Sequence, residues 1–354
     1  MYSVFGGDSV QVLKTAAELR ELGVQADVYK ASDKISYEDY DLLHFFNIIR
    51  PSDHLYHIRK SKKPYVVSTI YLEYGGFDRK GRSARHRFIF GLVRESGAEY
   101  LKNLFRFFKK QDVMISKEYV LGHYRAITTI LRNAAAILPN SESEYRRVVR
   151  DFDYKGKCNV VPNGVDQHVF GVIPKDVKRQ HKVICAAQVF GMKNQHLLIE
   201  ACKKLKVPLD IVGNPPPNHS TYYEMCRNMA GEDVSFPGFL TQDQLVRQYA
   251  SAKVHALPSW FETTGLSSLE AGAMGCNLVV STLGDTADYF KDHAWFCTPE
   301  DPGSITLALE EALNAPANHA MRDVVLTKYT WKRAAEVTRQ AYLEIMNGKE
   351  TKSA

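Results

Sequence analysis

A regular alternation of short apolar runs with amphipathic segments constrains the fold of this 354-residue chain more than any other feature. In the second half, the apolar runs predict strands, and the segments between them space their apolar residues as helices do. The predicted strands are HKVICAAQV, PLDIVG, VSFPGFL, KVHALPS and CNLVVST, and the predicted helices are NQHLLIEACKKLK, STYYEMCRNMAG, TQDQLVRQYASA and LSSLEAGAMG. Strands that alternate with helices form parallel sheets with helices on their faces.

The first half follows the same alternation. A helix is predicted over DSVQVLKTAAELREL, with Gly23 as its glycine cap. Strands are predicted at VQADVYKA, DYDLLHFFN, KPYVVSTIY, AAAILP and CNVVPNGVD, and a capped helix at NSESEYRRVVRDF. The polar, proline-bearing segment FGVIPKDVKRQHKV has the composition of a linker.

These elements predict an α/β protein of two doubly wound domains that face a central cleft. The first domain covers residues 1–168 and the second covers residues 169–330. Chain length agrees, because a single core seldom grows beyond about 250–300 residues. The last segment, residues 331–354, is predicted to be one long helix. This helix could pack on the second domain or cross back to the first.

Composition and charge exclude several classes of protein. The hydrophobic content of 45% and the charged content of 24% are ordinary for globular proteins, and no apolar run approaches the roughly 18 residues of a membrane span. The opening MYSVFGGDS lacks the basic and apolar regions of a signal peptide, which predicts a cytoplasmic protein. Six cysteines without a CxxC pair predict reduced, mostly buried thiols rather than a zinc site.

One segment of the chain is strongly basic. From Arg79 to Lys110, ten lysines and arginines stand against two acids, a net charge of +8 compared with +6 for the whole chain. Two interpretations are open: a surface helix packed on its own domain, or a basic, aromatic edge on the inner face of an anionic membrane. The candidate membrane-facing or acceptor-facing residues here are Arg85, Arg87, Lys102 and Arg106. Nucleic-acid binding is not predicted, because no recognition motif accompanies the charge.

The stretch WFETTGLSSLE places two acids, Glu262 and Glu270, around a predicted helix start near Thr264. The free N–H groups of such a helix start favour an anion, and Gly265 lets that anion approach the backbone. Glu270 would lie about 8 Å further along the helix. A ligand with a phosphate centre and hydroxyl-rich ends, such as a nucleotide sugar, fits this pattern. A threonine-capped helix with two solvated acids fits the spacing equally well.

The order of several motifs resembles that of the family 4 (group 1) glycosyltransferases, which have the GT-B fold. These motifs are FGGDS, ILPNSESE, NVVPNGVD, KNQHLLIEA, IVGN, VSFPGFLTQDQL, ALPSWFETTGLSSLEAGAMG and the closing helix from Trp331. The resemblance implies two Rossmann-like domains. The N-terminal domain would bind the acceptor, and the C-terminal domain would bind a nucleotide sugar.

The same resemblance implies roles for individual residues. Glu262 would contact the hydroxyls of the donor sugar, Lys193 would face the diphosphate, and both are the candidate catalytic residues. Glu270 would hold the ribose. The remaining candidate donor-binding residues are Gly7, Gln188, Gly213, Asn214, Phe239, Leu240, Thr264, Gly265 and Leu266.

Two positions depart from the family pattern. Gln188 stands five residues before Lys193, where the family has an arginine against the diphosphate. One cation stabilises a leaving diphosphate less than two do, so either another basic residue compensates or turnover is slow. Tyr71 stands where many relatives have a histidine after a strand. The general-base role of that histidine therefore cannot be assigned to this position, and Tyr71 is a candidate acceptor-facing residue.

The resemblance implies metal-independent, retaining transfer of a sugar from a nucleoside diphosphate sugar to a hydroxyl of a glycan or lipid-linked acceptor, without a further cofactor. Asp151 and Asp153 in DFD match a metal-binding D-x-D, but they follow a charged helix rather than an apolar strand, so a metal site is not predicted. The alternatives are a nucleotide-sugar-binding protein without activity, an epimerase or phosphorylase of the same fold, and a scaffold that uses the basic face. UDP and GDP donors cannot be separated from these residues.

Overall fold

The computed structural model describes residues 6–72, 122–217 and 219–350. The chain forms two compact units, and each is considered by itself. The first unit contains residues 6–71, residues 122–162 and the C-terminal helix from Trp331. The second unit contains residues 163–330 and, of the described residues before them, Leu72. The chain therefore passes between the units at Pro162/Asn163 and again at Thr330/Trp331.

The first unit contains a parallel sheet with the strand order β1-β2-β3 in the described part of the chain. Its strands are β1 (Leu43–Phe46), β2 (Tyr65–Ser68) and β3 (Ala136–Ile137), and its helices are α1 (Gly7–Glu21), α2 (Pro51–Ser61), α3 (His123–Asn133), α4 (Glu142–Phe152) and the C-terminal helix Trp331–Glu350. Val67 and Ile137 are fully buried and lie side by side in the sheet. Apolar residues of α2, α3 and α4 pack in the same core, among them Leu55, Ile130 and Val148.

The C-terminal helix packs on α1 within the first unit. Tyr342 from this helix is hydrogen-bonded to Nδ1 of His44 on β1 at 2.7 Å, and Nε2 of His44 is paired with the hydroxyl of Ser68 at 2.9 Å. Burial lowers the pKa of His44 to about 3, so the imidazole is neutral and serves as a hydrogen-bonding spacer between helix and sheet. Helix α1 ends as predicted, with Gly23 in the left-handed region at φ 81°.

The second unit is a six-stranded parallel sheet with the strand order β6-β5-β4-β7-β8-β9. Its strands are β4 (Gln180–Ala186), β5 (Leu209–Val212), β6 (Val234–Gly238), β7 (Ala252–Leu257), β8 (Asn277–Ser281) and β9 (Trp295–Cys297). Its helices are α5 (Gln167–Phe170), α6 (Gln195–Leu205), α7 (Ser220–Met229), α8 (Gln242–Ser251), α9 (Leu266–Ala273), α10 (Thr286–Phe290), α11 (Pro302–Asn314) and α12 (His319–Lys328). This is the order of a doubly wound sheet, with its switch point between β4 and β7.

The central strands are apolar on both faces because helices cover both faces of a doubly wound sheet. On β4, Val183 and Cys185 belong to one core cluster, whereas Ile184 and Ala186 belong to the other. Successive side chains of a strand point to opposite faces, so this alternation separates the two cores. The nine strands and helices predicted from HKVICAAQV to CNLVVST are all confirmed.

Two strands predicted in the first half are absent. VQADVYKA is irregular, with Val28 and Tyr29 both more than a third exposed and Asp27 accepting a hydrogen bond from Tyr40. Its apolar side chains are therefore not buried in a sheet. CNVVPNGVD is extended but forms only isolated bridges, at Cys158 with Ile137 and at Val165 with Thr330.

The linker predicted at FGVIPKDVKRQHKV instead belongs to the second unit. Phe170 is 1% exposed and packs in the core beside Tyr249, and Arg179 donates hydrogen bonds to the carbonyls of Ala252 and Met274. A buried aromatic ring and a bound guanidinium hold this polar segment to the domain. The polar composition predicted a linker, and nothing in the sequence indicated the long-range contacts, because such contacts leave no local pattern in it.

The cysteines are unpaired thiols, and five of the six are buried. Among the described helices, none is long and apolar enough to cross a membrane.

The buried His255 on β7 is expected to make the free energy of unfolding sensitive to acid. It is fully buried, neither ring nitrogen has a hydrogen-bond partner among the described residues, and burial lowers its pKa to about 3. The unfolded chain takes up the proton near pH 6.5, so stability falls as the pH drops from about 6.5 towards 3. We expect His255→Leu to remove about 2 kcal/mol of the stability loss between pH 7 and pH 5.

Urea unfolding at both pH values checks this expectation. Burial also lowers the pKa values of His44 and His54, to about 3 and about 4, so the variant will keep part of the acid sensitivity. An identical loss of stability in wild type and His255→Leu would contradict it.

Candidate functional site

The switch point of the second sheet places two loops side by side. The carboxyl ends of neighbouring parallel strands lie at the same edge, and β4 and β7 are hydrogen-bonded neighbours. The loop after β4 contains Gln188 and Lys193, and the loop after β7 contains Glu262, Thr264 and Gly265. Residues separated by about 70 positions in the chain therefore meet at one edge.

Lys193 and Glu262 form an ion pair at this edge, with 2.5 Å between Nζ and Oε1. The side chains are 19% and 9% exposed, so the pair is largely shielded from water. Backbone and side-chain hydrogen bonds hold the two loops together: Trp260 N–H donates to the carbonyl of Met192, and Asn194 donates to the carbonyl of Pro258. The proximity of Lys193 and Glu262 is thus fixed by the surrounding backbone.

Helix α9 begins directly after this pair, at Leu266 rather than near Thr264 as predicted. Gly265 is the cap residue, and its φ of 72° is a left-handed conformation that favours glycine. The carbonyl of Gly265 accepts from Ser268 and Leu269, which starts the helix. Leu266 and Ser267 are its first two residues, whose N–H groups have no acceptor within a helix. Such a helix start favours an anion.

The main chain of Glu262 is held by a second loop. Glu262 and Gly284 form a bridge, and the N–H of Asp285 donates to the carbonyl of Glu262 at 2.8 Å. A Cβ at Gly284 would lie 2.1 Å from that carbonyl oxygen, and φ of Gly284 is 101°. Only glycine allows the loop to approach this closely. The position of Glu262 is therefore set by its backbone as well as by Lys193.

The other predicted donor residues lie after neighbouring strands at the same edge. Gly213 and Asn214 follow β5, with Gly213 N–H donating to Gly238 and the carbonyl of Asn214 accepting from Val189. Gly213 has φ 132°, and a Cβ there would lie 2.1 Å from the carbonyl oxygen of Ala187.

Phe239 follows β6 and is 77% exposed, whereas the adjacent Leu240 packs against the core. The carbonyl of Gln188 accepts from the side chain of Gln195.

Glu270 lies within α9 and accepts a hydrogen bond from the hydroxyl of Tyr249 at 3.2 Å. Burial raises the pKa of Tyr249 well above its ordinary value, and the charge of Glu270 adds to this effect. Tyr249 therefore stays a hydrogen-bond donor that orients the partly buried carboxylate.

Cys185, near the end of β4, is close enough to the ion pair to be affected by both charges. Burial raises the pKa of its thiol to about 12, while Lys193 opposes and Glu262 adds to the rise. The thiol is therefore protonated at neutral pH and is not a nucleophile.

The predicted residues of the first unit lie at the carboxyl edge of its own sheet. Gly7 is the first residue of α1, and two side chains tie this helix to loops after β1 and β3: Asn47 donates to Asp8, and Gln11 donates to Asn140. The start of α1 is thereby fixed beside the ends of both strands.

Tyr71 follows β2 and is anchored by α4. Its N–H donates to Oε1 of the fully buried Glu144, its hydroxyl donates to Asp151, and its carbonyl accepts from Arg147. Although partial burial opposes it, hydrogen bonds from Arg150 and Tyr71 lower the pKa of Asp151.

The two acids of DFD do not converge. Asp151 is paired with Arg150, and Asp153 ends α4 and is paired with the exposed Lys155. No metal-binding cluster of three or more histidine, cysteine or acidic groups occurs within residues 6–72, 122–217 and 219–350. Arg85, Arg87, Lys102 and Arg106 lie outside the described residues.

Three buried residues around the turn were not assigned a joint role from the sequence. Asn163, Thr264 and Tyr289 form a hydrogen-bonded triad at the start of α9. Asn163 belongs to the PNG motif, which predicted only a turn. Tyr289 leaves no signal in the sequence, because an apolar helix containing a tyrosine is an ordinary core pattern.

The switch point of a doubly wound sheet, here with a helix start beside it, is where open α/β domains bind their ligands. Residues 173–325 match the family model of glycosyl transferases group 1. The matched region lies within the second unit and covers less than half of the chain.

Curated relatives match the chain in part. An uncharacterized glycosyltransferase of Methanocaldococcus jannaschii is 33% identical over 117 residues, which are 31% of this chain and 30% of that protein. The MMP α-(1→4)-mannosyltransferase of Mycolicibacterium hassiacum is 26% identical over 196 residues, which are 53% of this chain and 47% of that protein. The chain thus spans less than half the length of these two relatives.

Solved structures match over nearly the whole chain. Sucrose-phosphate synthase of Thermosynechococcus elongatus has a TM-score of 0.71 at 16% identity and covers 97% of this chain and 94% of its own. Anabaena HepE in complex with UDP-glucose has a TM-score of 0.64 at 13% identity, with 99% and 98% covered. The fold is that of the GT-B glycosyltransferases.

Proposed function

We propose that the protein is a retaining, metal-independent glycosyltransferase that moves a sugar from a nucleoside diphosphate sugar to a hydroxyl of a glycan or lipid-linked acceptor. The observation that carries the proposal is the Lys193–Glu262 ion pair, which directly precedes the start of α9. A cation, a carboxylate and free N–H groups are the chemistry that a diphosphate and a sugar require.

In this proposal the donor's diphosphate lies against the N–H groups of Leu266 and Ser267. Lys193 adds the only full positive charge that the described donor-side candidates supply. As the bond between the sugar and the diphosphate breaks, negative charge develops on the leaving oxygen, and the cation and the helix start stabilise it. Glu262 accepts hydrogen bonds from sugar hydroxyls and so orients the ring.

The proposed retaining course is the one that the resemblance to the group 1 glycosyltransferases implies. The protonated, buried Cys185 thiol is not a candidate nucleophile in it. The acceptor hydroxyl would attack from the side of the departing diphosphate. The leaving phosphate oxygen would take its proton, and the new glycosidic bond would keep the configuration of the old one.

The relatives support the proposed donor class. HepE was solved with UDP-glucose, and the Mycolicibacterium hassiacum relative is a mannosyltransferase. We therefore place a nucleoside diphosphate sugar at this edge, with Phe239 and the Gly213–Asn214 loop near the base and Glu270 near the ribose. The proposal includes an acceptor on the first unit near Tyr71 and a basic, membrane-facing segment around Arg85 to Arg106.

Gln188 favours a second candidate, a nucleotide-sugar-binding protein with little or no transferase activity. The loop after β4 has a neutral amide at this position, which supplies no charge to a leaving diphosphate. Such a protein would bind the donor and neither transfer nor hydrolyse its sugar.

A thermal-shift panel of UDP, GDP, ADP and their sugar conjugates, measured with EDTA present, tests the proposal. We expect one diphosphate to raise the melting temperature and its sugar conjugate to raise it further, since a ligand at about 100 times its Kd adds about 2.7 kcal/mol. Release of nucleoside diphosphate on addition of an acceptor then separates transferase from binding protein. No shift with any nucleotide, in protein shown to be folded, would overturn the proposal.

A further inference from the structure

Three buried polar side chains meet behind the turn that starts α9. Nδ2 of Asn163 donates to Oγ1 of Thr264 at 3.0 Å, and the N–H of Asn163 donates to the hydroxyl oxygen of Tyr289 at 3.1 Å. Oγ1 of Thr264 donates to the same Tyr289 oxygen at 3.3 Å. All three residues are buried: Asn163 is 5% exposed, Thr264 is 1% exposed and Tyr289 is 3% exposed.

This arrangement turns the Thr264 hydroxyl into the protein. It accepts from Asn163 and donates to Tyr289, so both of its hydrogen-bonding functions are used internally. Thr264 would therefore contact a ligand through its main chain. Its side chain fixes the conformation in which that main chain continues into Gly265. Because buried polar groups are costly to leave unpaired, the triad favours one conformation of the turn.

The segment that supplies Tyr289 also holds Glu262. Gly284 bridges to the Glu262 backbone, and Asp285 N–H donates to the Glu262 carbonyl. Five residues after Gly284, Tyr289 forms a hydrogen bond with Thr264. The two ends of the Glu262–Thr264 turn are thus fixed by one short segment, through its main chain at one end and through a tyrosine hydroxyl at the other.

Asn163 provides a second anchor, because the long segment of the second unit, residues 163–330, begins at this residue. The next residues pack on the last residues of that unit: Val165 N–H donates to the Tyr329 carbonyl, and a Cβ at Gly164 would lie 2.3 Å from the backbone of Thr330. The ring of Tyr329 lies 5.0 Å from that of Tyr289. The triad is therefore attached to both segments through which the chain enters and leaves this unit.

We propose that Asn163 and Tyr289 are positioning residues that fix the Thr264–Ser267 turn in the conformation that receives a nucleoside diphosphate. This inference rests on the proposed function and assigns it two residues outside the ligand-contacting set. Neither side chain is placed to touch the donor. Both act on it through the Thr264 hydroxyl and the backbone that follows.

The test compares three single variants by calorimetric titration with the nucleoside diphosphate that binds the wild type. Tyr289→Phe removes the shared hydroxyl and keeps the ring. Thr264→Val removes the threonine hydroxyl and keeps the backbone N–H groups. Tyr329→Phe is the matched control, because it deletes the hydroxyl of the neighbouring ring, which donates to Asp288 rather than to the turn.

We expect Tyr289→Phe and Thr264→Val each to weaken nucleotide binding about tenfold, since each disrupts two buried hydrogen bonds. Tyr329→Phe should bind within about twofold of wild type. The double variant should also be about tenfold weaker, not a hundredfold, because both changes disable the same triad. Asn163→Ala should add little to Tyr289→Phe for the same reason.

Wild-type affinity in Tyr289→Phe or Thr264→Val, or independent effects that multiply in the double variant, would overturn the positioning role while leaving the proposed function intact. A wild type that binds no nucleoside diphosphate would overturn both. Equal weakening by Tyr329→Phe would also overturn the positioning role, because the effect would then be general to the packing of these rings.

Discussion

Replacing Glu262 with alanine is expected to reduce sugar transfer about a thousandfold while the protein remains folded. The carboxylate is 9% exposed and is paired with Lys193, and the Asp285 N–H donates to the main-chain carbonyl of Glu262. No other acid lies on the same loop. Without it, sugar hydroxyls lose their acceptor, and Lys193 loses the group that orients it. The rate of nucleoside diphosphate release in the presence of acceptor measures the loss.

The same change breaks a largely buried ion pair, so stability must be measured with activity. We expect a cost of about 3 kcal/mol, which a domain of ordinary stability tolerates. Asp210→Ala is the matched control, because Asp210 and Lys182 form a comparably buried pair at 2.7 Å on β5 and β4 of the same sheet. It should lose similar stability and little activity. Normal turnover in Glu262→Ala would contradict the assignment.

Replacing Lys193 with alanine is expected to lower kcat/KM about a hundredfold or more. Its Nζ is the positive charge nearest to the start of α9 among the predicted donor residues, and Gln188 does not replace it. Deleting it removes transition-state stabilisation and leaves Glu262 without its partner. Lys182→Ala, from the control pair, should change kcat/KM by no more than a few fold.

The neutral Gln188 allows the role of positive charge at this edge to be tested by adding a cation. If one cation limits stabilisation of the leaving diphosphate, Gln188→Arg should raise kcat/KM in the wild type and recover part of the loss in Lys193→Ala. Steady-state kinetics with the donor identified by thermal shift measure both effects. Full activity in Lys193→Ala without Gln188→Arg would show that the charge comes from elsewhere in the chain.

The second unit was predicted almost completely because its strands are buried on both faces. Val183, Ile184 and Cys185 are all fully buried, and such continuous apolar runs stand out from the amphipathic helices between them. The first unit was predicted less well. In VQADVYKA a β-rich composition occurs in an exposed, irregular segment, where the side chains of Asp27 and Tyr29 hydrogen-bond to Tyr40.

The candidate site shows the same division between local pattern and long-range contact. Sequence spacing placed Glu262, Gly265 and Glu270 around one helix start, and only the exact first residue differed, because Gly265 rather than Thr264 is the cap. The linker was misplaced because Phe170 and Arg179 bind partners more than 70 residues away.

The sequence alone determined the doubly wound second unit and the loops after β4 and β7 that carry Lys193 and Glu262, because strand and helix periodicities are local properties of the chain. Only the tertiary structure decided that these two residues form an ion pair, and that Asn163, Thr264 and Tyr289, separated by 101 and 25 residues, share one set of hydrogen bonds. Such contacts depend on strand order and on close backbone approaches, such as that of Gly284 to Glu262, and neither leaves a periodic pattern in the sequence.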